Sequence, residues 1–262
     1  AVRGEEKNFT SGSINRAIAL LSIPMILEMV MESLFAIVDI YFVGKVSKEA
    51  VATVGLTESV ITIIYSLAMG MAMAATAMVS RRIGENKTED AAVAAVQSIF
   101  MAVFISISLG IVGFIYAEDL LRLMGGSEEL VASGVGYTKI LLGSNIVIVL
   151  LFILNGIFRG AGDASIAMKV LWISNGLNII LDPLFIFGIG FFPELGVMGA
   201  AVATTIGRGV GVAVQCYVLW NGKSVIKITK KHIVVVWGII KKLADVATTG
   251  AGQMIIASAS WI

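Results

Sequence analysis

The stretch Ala17–Val43 reads AIALLSIPMILEMVMESLFAIVDIYFV. It stays apolar for longer than the roughly 20 residues that carry a helix across a bilayer core. Yet it contains Glu28, Glu32 and Asp39. A carboxylate at that depth costs a few kcal/mol on insertion scales. At 100° per residue the three acids fall within about 40° of one another, on one helix face. Such a face must turn toward protein or water rather than lipid. The stretch therefore predicts a membrane helix that borders a polar pathway.

The rest of the chain repeats the pattern. Five more apolar runs follow, at Val51–Val79, Val93–Ala117, Ser133–Phe158, Ile166–Gly190 and Val197–Trp220. A seventh begins near Val234, with an amphipathic start that carries Lys241 and Lys242. Composition agrees, at 58% hydrophobic and 14% charged, with a mean hydropathy of +0.94. A water-soluble domain needs more polar cover than that. The expected fold is all-α, a polytopic bundle of six transmembrane helices plus the start of a seventh. Its divisions are 1–222 for the six-helix lobe, 223–232 for a basic connector and 233–262 for the beginning of a second lobe.

Charge sets the expected orientation. Arg16, Arg81, Arg82, Lys87, Arg159, Lys169, Lys223, Lys227, Lys230, Lys231, Lys241 and Lys242, with Arg3 and Lys7, gather on the N-terminal side. Lys45, Lys48, Arg122 and Lys139 fall on the other. Positive residues favour the cytoplasmic side, so the N-terminus and the connector are expected there, in a plasma (inner) membrane protein. The polar start shows no cleavable signal peptide. The first residue is not Met and the last lies in an apolar run, which suggests a piece of a longer chain. Cys216, the one cysteine, excludes an internal disulfide framework and reads as a small packing residue. His232, the one histidine, reads as a solvated loop residue. Nothing points to a nucleic-acid partner.

A second polar face lies in the fifth run. Asn175, Asn178 and Asp182 sit at i, i+3 and i+7, and Asn178 can reach Asp182 one turn on. Pro183 removes a backbone bond to Ile179 and is expected to kink the helix beside the acid. Asn155 closes the fourth run, and Thr204 and Thr205 lie in the sixth. Converging faces of this kind could bind sodium or hold a proton. Glu58 reads as interfacial, Glu28 as solvated near the surface, Arg208 as snorkelling or paired, and the Met residues as packing. Gly156/Gly160 and Gly207/Gly211, four apart, permit close helix approach. A faint repeat at an offset of 225 aligns Arg16 with Lys241, Glu28–Met29 with Gln253–Met254 and Ser33 with Ser258, as two similar halves would.

Several of these stretches occur in the order and spacing of one family. They are Ile23–Pro24 with Val38–Asp39–Ile40–Tyr41–Phe42–Val43–Gly44, then Arg159–Gly160–Ala161–Gly162–Asp163, then Asn178 to Gly188, then Gly196 to Thr204. On them the chain resembles the multidrug and toxic compound extrusion (MATE) family. The resemblance implies a twelve-helix, two-lobe, cation-coupled exporter, of which this chain covers the N-terminal lobe and the start of the second. It places Asp39, Asn178 and Asp182 at the first-lobe cation site for Na⁺ or H⁺, with Thr204 as hydroxyl ligand. Glu32, Asn155 and Asn175 would border the substrate cavity. The seventh run departs from the family, with Ala247–Thr248–Thr249 where a Pro is usual. The expected activity is export of organic cationic amphiphiles in exchange for Na⁺ or H⁺, with no cofactor beyond that ion. The missing C-terminal lobe, small-molecule substrates and the lipid bilayer are the expected partners. A lipid or polysaccharide-precursor flippase is the alternative, and it would want cations in the cavity, where only Arg208 lies within a run. An enzyme would need a nucleophile with a base, or a metal cluster, at membrane depth. The sequence offers neither.

Overall fold

The computed structural model describes residues 14–259. The expected polar start up to residue 13, with Arg3 and Lys7, lies outside the described residues, as do 260–262. Helices dominate, and no strand occurs among the described residues. In chain order they are α1 (Ile14–Val43), α2 (Lys48–Gly84), α3 (Thr88–Ile115), α4 (Ala117–Leu123), α5 (Glu128–Gly143), α6 (Asn145–Gly160), α7 (Ala164–Phe187), α8 (Val197–Asn221) and α9 (Trp237–Ala259). Among the described residues six segments are long and apolar enough to cross a membrane, the fourth being α5 and α6 together. The protein is thus a multi-pass membrane bundle. Large apolar side chains such as Ile63, Phe104, Ile111 and Phe114 cover its outside, where lipid takes the place of a polar surface.

Local chemistry marks the ends. Ser47 and Ser127 accept from the backbone N–H groups of Ala50 and Leu130, capping α2 and α5. Gly188, at φ 65°, closes α7 in the left-handed region that glycine enters without strain. In the turn after α2, Arg81, then Lys87 and Arg82, hold the Glu85 carboxyl down to about 2. Two features were not legible in the runs. The short helix α4 follows the third span, with Arg122 pairing to Glu118 and Glu128 at 3.0 Å each. The fourth span is broken at Ser144, whose hydroxyl meets that of Thr205 on α8 at 2.8 Å. Asn145 bridges the break by donating to the Leu142 carbonyl at 2.6 Å.

Small residues set how closely the helices approach. A Cβ on Gly156 of α6 would fall 2.6 Å from the Ala72 carbonyl oxygen of α2, and one on Gly160 2.7 Å from that of Thr76. Thr76 exploits the approach by donating to the Gly156 carbonyl at 2.8 Å. On α8 the second glycine pair does the same against α7, with Gly207 over the Ser174 carbonyl and Gly211 over the Ser174 side chain. Gly70 of α2 meets α9 at Ala247 and Ala251. The seventh segment therefore packs on the second.

The connector is bound along its length to the bundle. Asp163 accepts from the Ser224 hydroxyl and, at 3.0 Å, from the Val225 N–H. A single 3-10 turn, Lys230–His232, follows. His232 is buried, which corrects its reading as a solvated residue. Its Nδ1 accepts from the Thr229 N–H at 3.1 Å, so the ring proton sits on Nε2 and is donated to Glu89 at 2.7 Å. Gln97 of α3 then clamps the extended segment beyond, donating to the Val234 carbonyl at 2.6 Å and accepting from the Val236 N–H at 2.9 Å. Gln97→Ala leaves both backbone groups unpaired, a cost of about 1–3 kcal/mol. Trypsin should then cleave the intact protein faster at Lys230 and Lys231. An unchanged cleavage rate would show that the clamp does not hold the connector. Cys216 also departs from expectation, being exposed on α8 rather than packed.

Candidate functional site

Among the described residues, two neighbouring cavities open inside the bundle. The larger, about 720 Å³, lies among α1, α2, α6 and α7 and is bordered by Glu28, Glu32, Asn155, Arg159 and Arg208. The smaller, about 570 Å³, is bordered by Glu32, Asp39, Glu58, Tyr65, Tyr137, Thr204 and Arg208. Glu32, Met69, Phe152 and Arg208 belong to both walls. The Glu32–Arg208 pair, at 3.0 Å, is thus the charged part of the partition between them.

This partition is held from several sides. Arg208 of α8 is buried, with its guanidinium over the rings of Phe35 at 5.7 Å and Tyr65 at 5.9 Å. Asn175 of α7 donates to the other Glu32 oxygen at 2.8 Å. Asn175 lines neither cavity, so the structure makes it a support for Glu32 rather than a cavity wall. The reading of Arg208 as paired is correct, and its partner comes from the first span.

Around Asp39 the arrangement differs. Asp39 near the end of α1 and Asp182 near the end of α7 lie near enough for each carboxyl to act on the other. Carboxylates only accept, so a bond between them requires a shared proton or an intervening cation. Asp182 is fully buried and neither of its oxygens has a partner. One Asp39 oxygen and the Asn178 carbonyl oxygen are likewise buried and unpartnered. Asn178 was expected to reach Asp182. Instead its amide donates to Thr204 of α8 at 3.0 Å, which leaves its oxygen free beside the acids. α7 continues helically through Pro183 to Phe187.

The remaining polar residues sort by partner. Asn155 borders the larger cavity, and Gln215 of α8 donates to its oxygen at 2.6 Å. Glu28 is buried and paired with Arg159 at 3.2 Å, which corrects its reading as solvated. Glu58, read as interfacial, faces the smaller cavity with Asp39. Its spacing from Tyr65 is i, i+7, one helix face, and that was the available signal. Tyr137 gave none, and neither did Gln215 and Arg159, whose partners lie far away in the chain. Met25, Met29, Met69 and Met73 line the larger cavity, while Met31 and Met71 are packing residues.

Membrane-spanning helices that enclose charged compartments of several hundred Å³ have the form of a membrane transporter's lobe. The chain belongs to the MatE family, whose model matches residues 24–184. It is 32% identical over 209 residues to the probable multidrug resistance protein NorM of Thermotoga maritima, covering 79% of this chain and 45% of that one. It is 30% identical to a Shewanella oneidensis FAD transporter, covering 80% and 46%. Staphylococcus aureus multidrug export protein MepA is 28% identical over 199 residues, 76% of this chain and 43% of that one. Among solved structures, a MOP superfamily transporter from Pyrococcus furiosus superposes with a TM-score of 0.88 at 31% identity, covering 98% of this chain and 57% of that one. That transporter has a binding pocket of reverse polarity, which suggests a different function for it. An outward-facing multidrug resistance MATE transporter superposes at 0.87 and 32% identity, covering 95% and 55%. The chain spans about half the length of the curated relatives it matches.

Proposed function

We propose that this chain is the first lobe of an efflux antiporter that expels amphiphilic organic compounds in exchange for Na⁺ or H⁺. The second lobe begins at about residue 233, after the connector 223–232. The observation that carries the reading is the group of partnerless buried oxygens on Asp39, Asn178 and Asp182. Buried acceptors without donors are costly. A proton or an alkali cation supplies what they lack, and Thr204 stands ready beside Asn178. The smaller cavity reaches Asp39 and gives the ion its path. The larger cavity seats the amphiphile against Glu32 and Asn155.

Coupling then requires that the ion favour one conformer over another. Filling the Asp39–Asp182 site draws α1 and α7 together, and α1 carries Glu32 into the partition. Pro183, which removes one backbone bond inside α7, gives the helix room to respond. The excess of Lys and Arg on the α1-start side supports a cytoplasmic N-terminus in the inner membrane. A flippase for anionic lipids would want unpaired cations in the cavity. Arg159 and Arg208 are both there, but each is balanced by a glutamate, so the cavity carries no net positive charge for an anionic head group.

The test is efflux of a fluorescent amphiphile by the full-length protein in vesicles, driven separately by sodium and pH gradients. One gradient alone should drive expulsion, and its identity names the coupling ion. Failure of both gradients would refute the antiport.

A further inference from the structure

We infer that the larger cavity selects zwitterionic amphiphiles, those with an ammonium and a carboxylate or phosphate on one apolar body, over simple monocations. This names the substrate class of the efflux reading above and rests on it.

The cavity meets two ion pairs, and they are built in opposite senses. At Glu32–Arg208 the carboxylate side chain is 39% exposed and the guanidinium 4%. At Glu28–Arg159 the guanidinium side chain is 24% exposed and the carboxylate 8%. A ligand therefore meets one acid, Glu32, and one base, Arg159. Each is backed by a buried partner of opposite sign.

The two displayed charges lie at different depths. Glu28 and Glu32 are one turn apart on α1, about 6 Å along its axis. Arg159 stands in the last turn of α6, whereas Arg208 lies midway along α8. The apolar wall between them includes Met25, Met29, Met69 and Met73, whose pliable side chains fit varied bodies. A volume of about 720 Å³ suits a drug-sized ligand.

The pattern weighs against a monocation. Its charge pairs with Glu32, but its body then covers Arg159 and strips that guanidinium of water without replacing the lost bonds. A zwitterion with its ammonium toward Glu32 and its anion toward Arg159 satisfies both through charge-assisted hydrogen bonds. The smaller cavity contrasts with this balance. It adds Asp39 and Glu58 to Glu32 against Arg208 alone, an acidic surplus suited to the coupling ion.

The test uses the full-length transporter and two fluorescent probes with one aromatic body. One probe carries a trimethylammonium alone, and the other carries a trimethylammonium and a carboxylate. The parent protein should bind the zwitterion about tenfold more tightly. The double variant E28Q/R159Q removes both charges of one pair together, so no buried charge is orphaned, and it should bring the ratio of Kd values to about one. R159K keeps the positive charge and should retain most of the preference. A ratio near one in the parent, or an unchanged ratio in E28Q/R159Q with its melting temperature kept, overturns the inference. If the monocation is expelled but the zwitterion is not preferred, only this inference fails. If an ion gradient expels neither probe, the efflux reading fails with it.

Discussion

Asp39→Asn and Asp182→Asn should each abolish ion-driven efflux while leaving the protein folded. One charge crossing 100 mV contributes about 2.3 kcal/mol, enough for roughly a 50-fold gradient of substrate. Loss of that coupling should therefore lower accumulation in inside-out vesicles by up to about 50-fold. The fold should survive, because each asparagine replaces a carboxyl of similar shape, half-buried at 39 and fully buried at 182. Asp182 in particular has no donor for either oxygen. An amide there relieves the burial of a charge rather than orphaning a partner. The melting temperature in detergent should equal or exceed the parent's, which separates lost coupling from misfolding. Gradient-driven efflux that is unchanged in both variants would refute the assigned ion site.

Gly156→Leu should have the largest effect on folding. Any Cβ at this position meets backbone atoms of Ala72, at 2.6 Å from its oxygen and 3.1 Å from its Cα. Backbone cannot swing aside as a side chain can, so α2 and α6 must separate. The Thr76–Gly156 hydrogen bond is lost with them. Overpacking of this kind costs typically 1–3 kcal/mol, and backbone displacement places the expected loss at about 3 kcal/mol. Thermal unfolding in detergent should show a large drop in melting temperature. Gly176→Leu is the control, because a Cβ there meets nothing within 4 Å. Equal melting temperatures for the two variants would mean that the α2–α6 approach does not limit stability.

Both predictions touch residues whose type was legible and whose partner was not. The glycine spacing at 156 and 160 announced a close approach without saying to which helix. Asp39 and Asp182 were legible as costly buried acids, but their adjacency is a matter of how α1 and α7 pack. Where expectation failed, the cause was usually an unseen partner. Glu28 was read as near the membrane surface and solvated, but Arg159, far along the chain, pairs with it and it is buried. His232 sits among lysines, and only the docking of the connector on α3 buries it against Glu89. Asn178 has Asp182 within reach along its own helix. It bonds instead to Thr204, because α8 approaches α7 closely at Gly207, where an added Cβ would fall 3.1 Å from that of Asn178.

The sequence by itself determined that the chain is helical, that it crosses a membrane several times, and which acids and amides cannot face lipid. These follow from the local physics of hydrophobic length, helical period and the cost of burying charge, all read along one strand of chain. Only the tertiary structure decided which of those groups are satisfied and which are left wanting. It paired Glu28 and Glu32 with arginines 131 and 176 residues away, and it left the oxygens around Asp182 without donors. Pairing across such distances depends on the angles and approach of packed helices, which no single segment encodes.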